Sequence, residues 1–291
     1  MWAATEQSRL SWLNFNQNTI RADVYQGLVD AVRNADGDSQ ELGQRVILPS
    51  SFTGSTRNMI QYYQDSLAIT RHFGGADLFL TMTADPKWPE IESALLPGQA
   101  AADRPDLVCR VFQAKLQELL TALTKDQALG KVLAYIYTIE FQKRTLPHVH
   151  MVLCLQALDK LRSPDTVDTL ISAEFPDEHL QPELYALVKK YMVHGPCGSY
   201  NPNSPCMVDG KCSKNFPKPF RETTSISEDS YAVYRRRNDG RTHTVRQHEV
   251  DNRWIVPYSP WLLYKFRCHF NVESIGSIKA IKNIFTKVMI E

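Results

Sequence analysis

The stretch PHVHMVLCLQ, residues 147–156, decides how this chain is read. Side chains alternate faces along a strand, so His148 and His150 project from one side while Val149 and Met151 face the other. Two imidazoles side by side on a rigid strand supply half of a metal site. The run before it, VLAYIYTIEFQK at residues 132–143, is also strand-like and rich in Tyr and Ile. The connection Lys143–Pro147 is short enough to make the pair an antiparallel hairpin. Glu140 and Gln142 share one parity on the partner strand, so a carboxylate or an amide oxygen can complete the histidine pair. An oxygen ligand beside two imidazoles suits Mg²⁺ or Mn²⁺ and leaves positions open for a phosphate.

Outward from the hairpin, helical periodicity runs from Thr56 to Phe73 and stops at Gly74-Gly75. LFLTMT at residues 78–83 reads as a buried strand, ended by Asp85-Pro86. After Pro105-Asp106, apolar residues at Val108, Val111, Phe112, Leu116, Leu119, Leu120 and Leu123 form one stripe of a helix. Strand, helix, strand, strand is an α+β layer with an antiparallel sheet and flanking helices. A polar helix-like segment, Thr19–Asn34, precedes this core, and a looser helix spans about Leu180 to Met192. Four segments follow: 1–55, helical and loop; 56–180, the core with the metal hairpin; 181–250, a zinc-binding and basic insertion; and 251–291, C-terminal strands and a last helix.

The insertion opens with His194, Cys197, Cys206 and Cys212, spaced H-x2-C-x8-C-x5-C with Gly and Pro between them. Such a loop has little apolar content to hold it folded, and a tetrahedral Zn²⁺ would supply that order as a closed structural site. Cys109 and Cys154 read as core residues, while Cys268 beside His269 is ambiguous. Six cysteines with no secretory leader point to reduced thiols or metal ligands, and so to cytosol or nucleus. No apolar stretch has the length of a membrane span.

A net charge of +1 excludes a generally basic protein but hides an asymmetry. From Lys211 to Arg246 there are nine Lys/Arg against four Asp/Glu, a surplus of five. Its centre, Arg235-Arg236-Arg237, has the composition of a phosphate-contacting patch, and Tyr231, Tyr234 and Trp254 nearby can stack on bases or pack in a core.

Taken in order, several segments resemble the replication-initiator domain of Helitron transposons, one of the HUH endonucleases. They are LPSSFTGSTRNMIQYYQDS (48–66), DLFLTMTADPKWPEI (77–91), YTIEFQKRTLPHVHM (137–151), VHGPCGSYNPNSPCMVDGKCSKNFPKP (193–219), DNRWIVPYSPWLLYKFR (251–267) and CHFNVESIGSIKAIKN (268–283). The resemblance implies a five-stranded antiparallel sheet in which the strand of residues 79–83 lies beside the histidine hairpin. It also implies a divalent cation held by His148 and His150, with Gln142 as the preferred third ligand and Glu140 as the alternative. In the family, that metal polarises a phosphodiester of single-stranded DNA for attack by a helix-borne tyrosine. The resemblance further implies a nuclear location and single-stranded transposon ends as the partner.

The last helix departs from the pattern. Ile278, Ile281, Phe285 and Val288 mark its apolar face. Alignment on SIKAIK places the family's two tyrosines at Asn283 and Lys287. Neither side chain can form a phosphotyrosine-type intermediate, so a domain that binds metal and DNA but nicks poorly is expected. Lys279, Lys282 and Lys287 near the site, with Arg235, Arg236 and Arg237 as backbone anchors, are the expected DNA contacts. Tyr258 and Tyr264 read as packing residues rather than substitute nucleophiles. The chain also carries no phosphate loop of the Pif-type helicase that follows this domain in full-length relatives, which suggests a decayed or domesticated fragment.

Overall fold

In the computed structural model, the described residues are 2–20, 46–141, 146–227 and 231–276. Two compact units divide the chain, one within Met1–Ser66 and one within Leu67–Val288.

The first unit opens with α1 (Trp2–Phe15) and a short 3-10 turn, Gln17–Ile20. The Gln17 amide accepts from the Ile47 N–H at 2.7 Å and donates to the Ile47 carbonyl at 3.1 Å, tying distant backbone to the end of α1. Ser55 caps α2 (Thr56–His72) by accepting from the Asn58 N–H at 3.1 Å. The helix expected over Thr19–Asn34 lies, from residue 21 on, outside the described residues.

The second unit is built on the strands read from sequence. Chain order gives β1 (Leu78–Thr83), α3 (Pro89–Glu92), α4 (Pro105–Thr124), β2 (Val132–Phe141), β3 (Pro147–Leu155), α5 (Pro164–Leu170) and α6 (Pro182–Tyr191). Short antiparallel ladders follow: β4 (Met207–Val208) with β5 (Lys211–Cys212), β6 (Ser225–Ile226) with β7 (Ala232–Val233), and β8 (His243–Val245) with β9 (His248–Val250). The described part closes with α7 (Pro260–Phe266) and β10 (Phe270–Ser274).

The central sheet is antiparallel, in the order β10-β1-β3-β2. It holds four strands among the described residues, where the resemblance implied five. The other described strands are two- or three-residue ladders, too short to extend it. β3 is central and every one of its residues is buried, which explains its near-continuous apolar sequence. One face carries Leu78, Leu80, Met82, Val149, Met151, Leu153, Phe270 and Val272, packed with Val108, Phe112, Leu116, Leu119 and Leu123 of α4. The helical stripe read from sequence is therefore the stripe that is buried.

One helix about 10–12 Å across cannot cover four strands spaced about 4.8 Å apart. Among the described residues, β2 lies at the edge of the sheet and nothing covers it on that face, where Leu133, Tyr135, Tyr137, Ile139 and Phe141 are between 37% and 57% exposed.

A second apolar cluster joins Phe175, Val188, Met192, Cys197, Cys212, Val245, Val250, Trp254, Ile255 and Tyr258. α7 links the two cores, with Leu262 and Phe266 in the first and Leu263 in the second.

Candidate metal centres

Strand register assembles the first site. His150 pairs with Thr138 of β2 and Thr81 of β1, and His148 pairs with Glu140 and Thr83. Direct cross-strand partners share a face, so Glu140 meets both rings on the face turned away from α4. Its Oε2 lies 3.0 Å from His148 Nε2 and 3.5 Å from His150 Nε2. The two rings stand nearly perpendicular, centroids 4.7 Å apart, and Phe79 stacks on His150 at 5.7 Å. Ligand atoms of all three residues lie within 4.8 Å of one another.

The donor set fits a divalent cation, and so does its polar accounting. Glu140 Oε1 and His148 Nδ1 are buried with no hydrogen-bond partner among the described residues. A buried carboxylate oxygen without a donor is costly, and a bound cation would offset that cost. Glu140, the alternative ligand in the sequence reading, is the residue that the described structure brings beside the two rings. Gln142, the preferred one, lies outside the described residues, as do Lys279, Lys282, Asn283 and Lys287.

The second site forms as the spacing predicts. Nδ1 or Nε2 of His194 and the Sγ atoms of Cys197, Cys206 and Cys212 lie within 4.8 Å of one another, with Cys212 Sγ 3.4 Å from His194 Nε2. Cys206 precedes, and Cys212 belongs to, a hairpin whose two-residue turn, Asp209-Gly210, has φ of 48° and 75°. Positive φ at both positions is the twist-matched turn that Asp-Gly favours. Gly195 has φ of 89°, and a Cβ there would lie 2.8 Å from the Cys197 nitrogen and 3.3 Å from the Trp254 ring. Only glycine fits at position 195. Burial, then the positive charges of Lys218 and Lys214, lowers the His194 pKa below its ordinary value. Burial and the neighbouring thiols push Cys197 up to about 12. Burial also raises Cys212, but the backbone N–H groups of Phe216 and Lys214 and the adjacent thiols outweigh it, leaving this thiol below its usual value. Three thiols and an imidazole in one rigid loop form the donor set of a metal such as zinc.

Of the three arginines expected as backbone anchors, Arg236 is buried, while Arg235 and Arg237 remain partly exposed. Arg236 is 4% exposed, and its Nη1 donates to the carbonyls of Ala173, Asn252 and Ile255 at 3.2, 2.9 and 2.6 Å. It is a tie inside the second core, out of reach of a phosphate. Arg237 forks onto Glu174, with Nη2 to Oε2 at 2.7 Å, and Arg235 lies 3.3 Å from both Asp168 and Glu174. A run of like charge reads as a solvated patch in sequence, but here acidic and carbonyl partners from remote segments engage all three.

Trp254 is buried beneath Gly195, and Tyr234 accepts from the Ser274 N–H at 2.7 Å, so both are structural. Tyr258 is buried with its hydroxyl donating to the Glu174 carbonyl at 3.0 Å. The Tyr264 hydroxyl donates to Glu183 at 2.7 Å. Cys154 and Cys268 are fully buried, and Cys109 is half-buried on α4. Sequence reasoning overlooked the aromatics Tyr135, Tyr137 and Phe141, which alternate with Glu140 along β2. Their period-two spacing was the available signal.

Among the described residues, no helix is long and apolar enough to cross a membrane. No curated protein matches the chain. A family described as the Helitron helicase-like domain at the N-terminus matches residues 1–153, more than half of the 291 residues and inclusive of Glu140, His148 and His150. The chain belongs to that Helitron helicase-like N-terminal domain family.

Proposed function

We propose that the chain is a Helitron-type rolling-circle replication initiator that holds a divalent cation and single-stranded DNA, and whose nicking and strand transfer are impaired. The observation that carries the reading is Glu140 Oε2 facing both His148 Nε2 and His150 Nε2 on rigid paired strands. Bound Mg²⁺ or Mn²⁺ would polarise a phosphodiester oxygen and neutralise charge as the bond breaks. Glu140, His148 and His150 would hold that cation, and burial of both imidazoles would limit competing water. The exposed aromatics of β2 favour single-stranded over duplex DNA, because unpaired bases can stack on them. Tyr135 and Tyr137 already lie nearly parallel, centroids 6.2 Å apart. β2 is an edge strand, so a nucleic-acid strand running along it can reach the face that carries Glu140.

Impairment rests on Asn283 and Lys287, the residues that the resemblance aligns with the family's two tyrosines. The same pair favours the second reading, a non-catalytic DNA-binding module in the nucleus. A single-stranded oligonucleotide incubated with the protein and Mn²⁺ separates the two. Impaired catalysis predicts DNA binding with a trace of covalent protein–DNA adduct that rises in the double variant Asn283→Tyr/Lys287→Tyr, whereas the non-catalytic module predicts DNA binding with no adduct from either protein. Robust adduct from the unaltered chain overturns the impairment. Absence of single-stranded DNA binding at low salt overturns the whole reading.

A further inference from the structure

We propose that Thr81, Asn271 and Glu273 form a one-directional hydrogen-bond chain across the sheet that fixes His150 as its Nδ1–H tautomer and turns its Nε2 lone pair toward Glu140. The proposal deepens the cation reading above and rests on it for its purpose, though its geometry stands alone.

The direction is set at the far end. Asn271 Nδ2 donates to Glu273 Oε1 at 3.0 Å. A carboxylate only accepts, so the amide nitrogen must face Glu273 and Oδ1 must point the other way. Asn271 Oδ1 is buried and has no hydrogen-bond partner among the described residues. An orphaned buried acceptor calls for a donor on a neighbouring element. Asn271 pairs directly with Thr81 in the β1–β10 ladder, and such partners have Cβ atoms only about 4.5–5.5 Å apart. Thr81 is the cross-strand neighbour whose hydroxyl is placed to serve as that donor.

Thr81 Oγ1 in turn lies 2.9 Å from His150 Nδ1. A hydroxyl carries one proton. Once that proton is given to Asn271, the bond to His150 requires Nδ1–H as the donor. The neutral ring then bears its lone pair on Nε2, the atom 3.5 Å from Glu140 Oε2. The reverse arrangement would place a proton on Nε2, and a protonated nitrogen cannot ligate a metal. Phe79, stacked on the ring at an interplanar angle of 19°, holds the plane in which this choice is made. His148 lacks such support, since its Nδ1 has no partner among the described residues. Thr81, Asn271 and Glu273 are positioning residues, acting through His150 and not on a substrate.

The test uses the full chain with ¹⁵N-labelled histidine. Long-range ¹H–¹⁵N spectra of the metal-free protein report the His150 tautomer, and calorimetry reports Mn²⁺ affinity. The unaltered chain is expected to show the Nδ1–H signature. Thr81→Val, nearly isosteric, should give a mixture of tautomers and weaken Mn²⁺ binding by roughly 10–100-fold, the usual effect of losing such a partner. Asn271→Leu should do the same in lesser degree, and Thr81→Ser should restore both readouts. An Nε2–H signature in the unaltered chain overturns the proposal, as do unchanged tautomer and affinity in both Thr81→Val and Asn271→Leu. An Nδ1–H signature with no Mn²⁺ binding instead defeats the cation reading while the hydrogen-bond chain stands.

Discussion

Arg236 Nη1 reaches the carbonyl of Ile255 at 2.6 Å, so a residue from the most basic stretch of the sequence ends inside the second core. Burial pulls its pKa down to about 10, which still leaves the guanidinium charged at neutral pH. Arg236→Ala strands three carbonyls at once and should lower the free energy of unfolding by roughly 3 kcal/mol. Urea denaturation measures that loss. The salt dependence of single-stranded DNA binding, taken under conditions where the variant stays folded, should keep its slope, because no phosphate contact is removed. A slope reduced by about one would return Arg236 to the DNA interface.

Glu174 links the triplet to the fold and should make stability depend on acid. Its burial favours the protonated form, but hydrogen bonds and charge from Arg237, aided by Arg235, outweigh that and lower its pKa below the ordinary 4.5. A carboxylate with a depressed folded-state pKa stabilises the protein fully above the unfolded value and loses that contribution as pH falls through the folded one. Unfolding free energy should therefore be flat in this respect above about pH 5 and decline below the ordinary Glu range. Glu174→Gln should cost about 1–3 kcal/mol at neutral pH and flatten the acid decline, as read by urea titrations at several pH values.

Two candidate ligands in the cysteine loop, Cys197 and Cys212, are also members of the second apolar cluster. Metal removal should accordingly loosen packing well beyond the loop. Chelation is expected to lower the melting temperature and to change the near-ultraviolet signal of Trp254, with both restored by zinc. Gly195→Ala should act in the same direction, since positive φ and the closeness of Cys197 and Trp254 leave no room for a Cβ. About 1–3 kcal/mol of strain is expected, read as at least a several-fold loss of zinc affinity by competition with a chelating dye.

The exposed aromatics of β2 give a prediction independent of charge. Tyr135→Ser and Tyr137→Ser should each weaken single-stranded DNA binding by about 1–3 kcal/mol, measured by fluorescence anisotropy, with an unchanged salt slope. Their side chains face away from Glu140, so Mn²⁺ affinity should stay the same. Unaltered DNA affinity in the double variant would remove β2 from the binding surface.

Much of this architecture was legible because local periodicity reports burial directly. The strand-like runs of residues 132–141 and 147–155 and the helical stripe from Val108 to Leu123 are local signals, and all three elements formed where expected. The H-x2-C-x8-C-x5-C spacing was equally readable, since all four ligands lie in one stretch of chain. What could not be read was long-range pairing. Asn271 meets Thr81 and Arg236 meets Ala173 only because the fold brings distant segments together. Nor could parity separate Glu140 from Gln142, which lie on the same side of a strand by construction of the pleat.

The placement of β10 has a practical bearing. The family match ends at residue 153, yet β1 is flanked on its outer side by residues 270–274. A fragment trimmed to the matched region would retain Glu140, His148 and His150 but bare the hydrogen-bonding edge of β1, a six-residue strand whose inward side chains are Leu78, Leu80 and Met82. Such an unsheltered rim invites intermolecular strand addition, so the shortened polypeptide should precipitate or self-associate where the longer one remains dispersed.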